Sequence, residues 1–204
     1  ERQRPVSILA GCYRLGQFYE RVQFAPQRLV GAALRRIASA GLANYVRNAC
    51  DSASAMDEAW VVLERLEAVE LKNRQAATAG KSLRAQEDDM GASVRNTVSD
   101  AHFELVRMTA AAQRHLLASG DFPTTAGDFA PLLPTGPPHD PFNSGPLQFV
   151  LRGDALLCYS IGPDTADQAG EVEYDPTNGT VSSGDIVTTI PKRRAIPFPR
   201  EAVR

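Results

Sequence analysis

The stretch 92-ASVRNTVSDAHFELVRMTAAAQRHLLASG-120 decides how the rest of the chain is read. Val94, Val98, Ala101, Leu105, Met108, Ala112 and Leu116 recur at steps of three and four. That spacing sets all of them on one face of a helix. Phe103, Val106, Ala110 and Leu117 make a second apolar strip, and Asp100, Glu104, Arg107 and Arg114 share the remaining sector. A helix this broadly apolar needs cover on two sides. The expectation is a sheet on one side, built from the residues that follow, and the preceding helices on the other. Gly120 is placed to end the helix.

Downstream, 148-QFVLRGDALLCYSI-161 consists of two apolar runs around Gly153-Asp154. Glycine at the first central position predicts a two-residue type II′ hairpin. The Arg152-Gly153-Asp154 triplet is therefore read as a turn and not as an adhesion motif. Between helix and hairpin, 120-GDFPTTAGDFAPLLPTGPPHDPFNSGP-146 has too many prolines for regular structure, yet carries Phe122, Phe129, Leu132, Leu133 and Phe142. Disordered linkers lack such residues, so an ordered loop pinned by apolar anchors is expected. Asp140 is expected to bond to the backbone of its turn while Phe142 fills the core. Asn178-Gly179-Thr180 fits a glycosylation sequon, but Asn-Gly reads first as a turn.

Upstream, residues 1–119 hold two of the 14 prolines and read as helical. A first helix is expected over 5–23. A second starts at Pro26, which suits a first turn, and reaches about Cys50. Ser52 or Ser54 is expected to cap a third, whose stripe is Met56, Trp60, Leu63 and Leu66, with Trp60 as a core anchor. Residues 73–91 read as a loose linker or frayed helix. The fold class is thus α+β: a helical segment over 1–90, an α+β module over 91–190, and a basic, proline-containing tail over 191–204.

Composition excludes several function classes. The 22 basic and 24 acidic residues give a net charge of −2, so no basic field argues for nucleic acid. No apolar run approaches the roughly 18–20 residues that span a bilayer, and no signal peptide is visible. The chain begins at Glu1, so membrane association is expected only through a segment upstream of it. Cys12, Cys50 and Cys158 lack C-x-x-C spacing. They read as buried thiols, with a Cys12–Cys50 disulfide the alternative. His102 and His115 lie on the long helix and His139 in the proline loop, and no H-E-x-x-H, G-x-S-x-G or P-loop pattern occurs. The chain is therefore read as non-catalytic.

The order of five short motifs carries a resemblance. A long helix runs into Gly120-Asp121-Phe122-Pro123; Asp140-Pro141-Phe142 and Gly145-Pro146-Leu147-Gln148-Phe149 follow. Then come Tyr159-Ser160-Ile161-Gly162-Pro163-Asp164 and Gly184-Asp185-Ile186. Over about residues 93–187 this order resembles the carboxy-terminal half of the major pseudopilin of type II secretion systems. It is also similar to pseudopilin-like segments of bacterial envelope proteins. The resemblance implies a helix packed on a small antiparallel sheet and a calcium ion in the loop after the Tyr-Ser strand. Carried over by position, it implies Asp164, Asp185 and the backbone oxygen near Ile161 as ligands. Two features depart from the family. Residues 1–20 contain Arg2, Arg4, Arg14 and Glu20 instead of an apolar pilus-core helix, and the loop from Asp164 to Asp185 is longer.

The loop itself has suitable chemistry. Calcium takes six to eight oxygens in irregular geometry. Asp164, Asp167, Glu171, Glu173, Asp175 and Asp185, with four glycines for bends, supply enough of them. The site residues expected are Asp164, Asp167, Asp185 and Ile161. The function expected is a structural, protein-interaction subunit of the bacterial cell envelope, facing the periplasm, with other proteins as partners through the helical segment and the sheet edge. The alternative is a helical interaction subunit of a larger complex without metal; a hydrolase is the third reading.

Overall fold

Four helices come first. In a computed structural model, which describes residues 5–20, 25–48, 53–79, 90–133, 137–179 and 181–192, they are α1 (Pro5–Glu20), α2 (Ala25–Asn48), α3 (Ala53–Ala79) and α4 (Met90–Ser119). Pro5 and Pro26 fall in first turns, where a missing N–H costs nothing. Helix α1 lies against α2 with Gly16 facing Gly31. A Cβ on Gly16 would fall 2.8 Å from the Gly31 carbonyl oxygen, and one on Gly31 would fall 2.7 Å from that of Gly16. The two backbones touch because neither carries a side chain there.

Two expectations about α3 left alternatives, which the helix bounds narrow. The helix starts at Ala53, so Ser54 lies inside it and does not cap it, while Ser52 lies outside the described residues. It also continues to Ala79, so over 73–79 the helical alternative holds and the linker does not. Alanine, glutamine and arginine in that stretch are good helix formers, and the polar pattern hid the element. Residues 80–89 lie outside the described residues, as do the ends expected for the first two helices at 21–23 and 49–50.

Helix α4 belongs to two cores. Phe103, Val106 and Ala110 join Val6, Tyr13, Leu42, Val46, Met56 and Leu66 in a core between helices. Val98, Ala101, Leu105, Met108 and Ala112 join Phe122, Phe129, Leu147, Leu156 and Ile190 in a core against the sheet. These are the two strips the periodicity separates. Leu117 departs from its strip and is partly exposed, since it lies in the last turn. Trp60 is half-buried where the two cores meet. Its Nε1 donates to Glu64 at 2.8 Å and the Arg114 guanidinium stacks 5.5 Å from its ring centre.

The sheet has three antiparallel strands in the order β1 (Gln148–Arg152), β2 (Ala155–Ser160), β3 (Ile186–Pro191). Arg152 pairs with Ala155 across Gly153-Asp154, and Gly153 has φ 56°. Positive φ at the first central residue alone fits the expected II′ turn. Arg152 donates to the Ala169 carbonyl at 2.6 Å, which ties the triplet to the fold. Gly120, φ 85°, closes α4 with its N–H on the Leu116 carbonyl. The proline loop is ordered across 120–133 and 137–147, pinned by buried Phe122, Phe129 and Leu133. The architecture is α+β, helices packed on a small antiparallel sheet. Among the described residues no helix is long and apolar enough to cross a membrane.

Candidate metal centre

The candidate site lies in the excursion from Ile161 to Asp185, between β2 and β3. Its base is fixed from outside. Buried Asp140 accepts the Phe142 N–H (2.9 Å), the Ser160 hydroxyl (2.9 Å) and the Ile161 N–H (2.8 Å). One carboxylate thus closes the proline loop onto the end of β2. The far end is closed by backbone. Asp185 donates its N–H to the Val172 carbonyl at 2.7 Å and accepts the Tyr174 N–H at 2.8 Å. Gly162, φ 72°, packs on Gly184 so closely that a Cβ would meet the Gly184 carbonyl oxygen at 2.2 Å. Ile161 is thereby held next to Asp185.

Three of the expected acids lie near enough for Asp164 and Asp167 to act on the charge of Asp185. Asp185 is fully buried, and its Oδ2 accepts the Gly170 N–H at 2.6 Å. Its Oδ1 is buried without a hydrogen-bond partner. Asp164 accepts from Gln168 Nε2 (2.9 Å), the Gly184 N–H (3.1 Å) and the Ala166 N–H (3.2 Å). Asp167 accepts the Ala169 N–H at 2.8 Å and the Tyr159 hydroxyl. Burial pushes the Asp185 carboxyl up from its ordinary value; the Gly170 and Gln168 N–H groups pull it back, and the charges of Asp167 and Asp164 push it up further. Burial, with the charge of Asp167, raises the Tyr159 hydroxyl to about 12.

The other acids go elsewhere. Glu171 is exposed, 3.8 Å from Arg152. Glu173 pairs through its backbone with Asp185. Asp175 caps a short turn at Pro176–Asn178 by accepting the Thr177 N–H at 2.8 Å. Asn178 belongs to that turn, as the Asn-Gly reading expects.

Gln168 escaped the sequence reading, which counted only carboxylates. It bonds to Asp164 through Nε2, and its Oε1 is buried without a partner, like Asp185 Oδ1. Two orphaned oxygens beside neighbouring negative charges are what a hard cation satisfies. Among the described residues no three His, Cys, Asp or Glu side chains form a ready cage, and Asp167 is engaged with Tyr159 and Ala169. An ion here would draw on Asp185, Asp164, Gln168 Oε1 and main-chain carbonyls, a mixed oxygen set that suits calcium.

Charged groups between the helices were not foreseen either. Arg35 is buried, and its guanidinium reaches Glu20 (2.7 Å), Glu70 (2.8 Å), Asp100 (2.5 Å) and the Tyr13 hydroxyl (2.9 Å). One side chain of α2 therefore ties α1, α3 and α4. No sequence signal separates Arg35 from its exposed neighbour Arg36. Cys158 is buried, its thiol pushed up to about 12 by burial, as expected of a core thiol; Cys12 is exposed, against that expectation. Cys50, and with it the Cys12–Cys50 alternative, lies outside the described residues. So does most of the tail: Lys192 pairs with Asp121, and 193–204 are not described.

No protein-family model, no characterised protein and no solved structure matches the chain.

Proposed function

We propose that the chain is a non-catalytic structural subunit of the bacterial cell envelope, facing the periplasm, that contacts other proteins and whose sheet module is held by calcium. The observation that carries the calcium part is the pair of buried, partnerless oxygens, Asp185 Oδ1 and Gln168 Oε1, beside Asp164. The envelope part rests on the resemblance over 93–187 to type II secretion pseudopilins. When bound, calcium supplies positive charge that offsets like-charge repulsion and cross-links the long excursion. The protein's own part is to hold Asp185 and Asp164 in place through Gly170, Gly184 and Gln168.

A second reading, a metal-free helical interaction subunit, is favoured by one observation. Ile8, Leu15 and Phe18 of α1 are about half exposed or more, at 51%, 47% and 64%. Thermal melting separates the two. Calcium at a hundredfold over its Kd adds about 2.7 kcal/mol if it binds only the folded state. The melting temperature should rise with calcium, fall with EDTA, and stop responding in Asp185→Asn. Identical melting with calcium and EDTA would leave the metal-free reading.

A further inference from the structure

Helix α2 turns a second face outward. Val30 and Ile37 are 52% and 66% exposed, and Ala33 and Ala40 lie on the same side. This face borders two adjoining hollows of about 460 and 360 Å³ that share Arg36, Tyr174 and Pro176. The first lies between α2, α4 and the 174–179 turn, with Val98 and Arg95 on its α4 side. The second continues to Ile37, His102, Ile186 and Val187, beside the start of β3. Together they make one groove with apolar walls and guanidinium groups at its edge.

Among the described residues the charges lining the groove are unbalanced. Arg36 and Arg95 are exposed, and among the described residues neither forms an ion pair. Both flank Tyr174 closely enough to pull its hydroxyl down against the upward push of burial. His102 lies in the second hollow, its imidazole pushed down to about 4 by burial and by Arg36, so it is neutral at pH 7. Glu173 lines the far hollow as the opposing charge. Among the described residues the near hollow is lined by two cations, Arg36 and Arg95, and no acid, with Ser99 and Thr177 beside its apolar residues; Asp175, next to Tyr174, is engaged by Thr177. Arginine is enriched at protein interfaces and bonds carboxylates through a planar fork.

We propose that this groove binds a short apolar segment of a partner protein that carries an acidic side chain, its carboxylate set between Arg36 and Arg95. The proposal rests on the reading of the chain as an interaction subunit and names the chemistry of the partner. The chain's own last twelve residues are the wrong occupant, because they carry four arginines and one glutamate.

A phage-displayed library of short random peptides, selected on the whole chain, tests it. Enriched peptides should share an Asp or Glu flanked by large apolar residues. A synthetic copy of an enriched peptide should lose about tenfold or more in affinity to Arg36→Glu/Arg95→Glu, and its binding should weaken with salt. Far-ultraviolet dichroism should be unchanged, because both arginines are exposed. Ile8→Ser on α1 should leave the affinity unaltered. Enriched peptides that ignore the charge reversal would overturn the groove while leaving an interaction role on another face. A library that yields no binder, or sedimentation showing the chain pairing with itself through these arginines, would also overturn it. The calcium reading is judged separately by melting.

Discussion

The Ile161 N–H donates to Asp140 Oδ2 across 2.8 Å, joining the proline loop to the first residue beyond β2. The same carboxylate holds the Ser160 hydroxyl and the Phe142 N–H. Asp140→Ala strands donors in a buried setting, where each costs about 1–3 kcal/mol. Urea unfolding should show a loss of about 3 kcal/mol, with Asp140→Asn intermediate. A loss below about 1 kcal/mol would mean that the loop is closed by other contacts.

Arg35 compensates three carboxylates from three other helices. Removing one partner of a buried ion network costs about 3–5 kcal/mol, because charge is left without a counter-ion. Arg35→Met should fall in that range by denaturant unfolding. Arg35→Lys should recover only part, since an ammonium cannot reach all three acids through a fork.

The raised Asp185 carboxyl gives a pH signature. Its folded value lies above its unfolded one, so the folded chain holds this proton more tightly. In EDTA, stability therefore falls as pH rises from the ordinary aspartate value of 3.8 through the raised one. Asp185→Asn removes this contribution and should be the more stable protein above that window in EDTA. Calcium requires the ionised carboxylate, so with calcium the order should reverse. The difference between wild type and variant, followed across pH by urea titration, checks both signs.

Gly162 and Gly153 both have positive φ, but only Gly162 is crowded. An alanine Cβ at 162 would meet backbone at 2.2 Å, whereas at 153 it would meet nothing within 4 Å. Gly153→Ala should cost about 1–2 kcal/mol, the conformational term alone. Gly162→Ala should cost clearly more, about 3 kcal/mol or above. Equal losses in calorimetry would contradict the close approach to Gly184.

The two described thiols should differ in reactivity. Thiolate is the reactive species. Exposed Cys12 should label readily with a maleimide at pH 7.5, while Cys158 should label only after denaturation. Peptide mapping distinguishes them.

Periodicity made much of this legible. The two strips of α4 predict two cores, and the hairpin at Gly153-Asp154 follows from turn chemistry. What stayed hidden depends on long-range geometry. Arg35 and Arg36 are adjacent and chemically identical, and only the packing of α1 and α4 on α2 buries the first. Among six acids of the excursion, spacing could not tell Asp185, enclosed by Gly170 and Tyr174, from Glu171 in solvent. Gln168 was invisible because a neutral amide between acids carries no signal of its own.

Helix α4 emerges from the ribosome well before its sheet. Residues 1–119 can assemble the helical core early, but Val98, Leu105 and Met108 face outward until Leu156 and finally Ile190 arrive to cover them. For that interval the nascent chain presents a sticky seam along an otherwise finished surface. Truncation between α4 and β3 should therefore yield a product that recruits chaperones or aggregates, although its helices are complete.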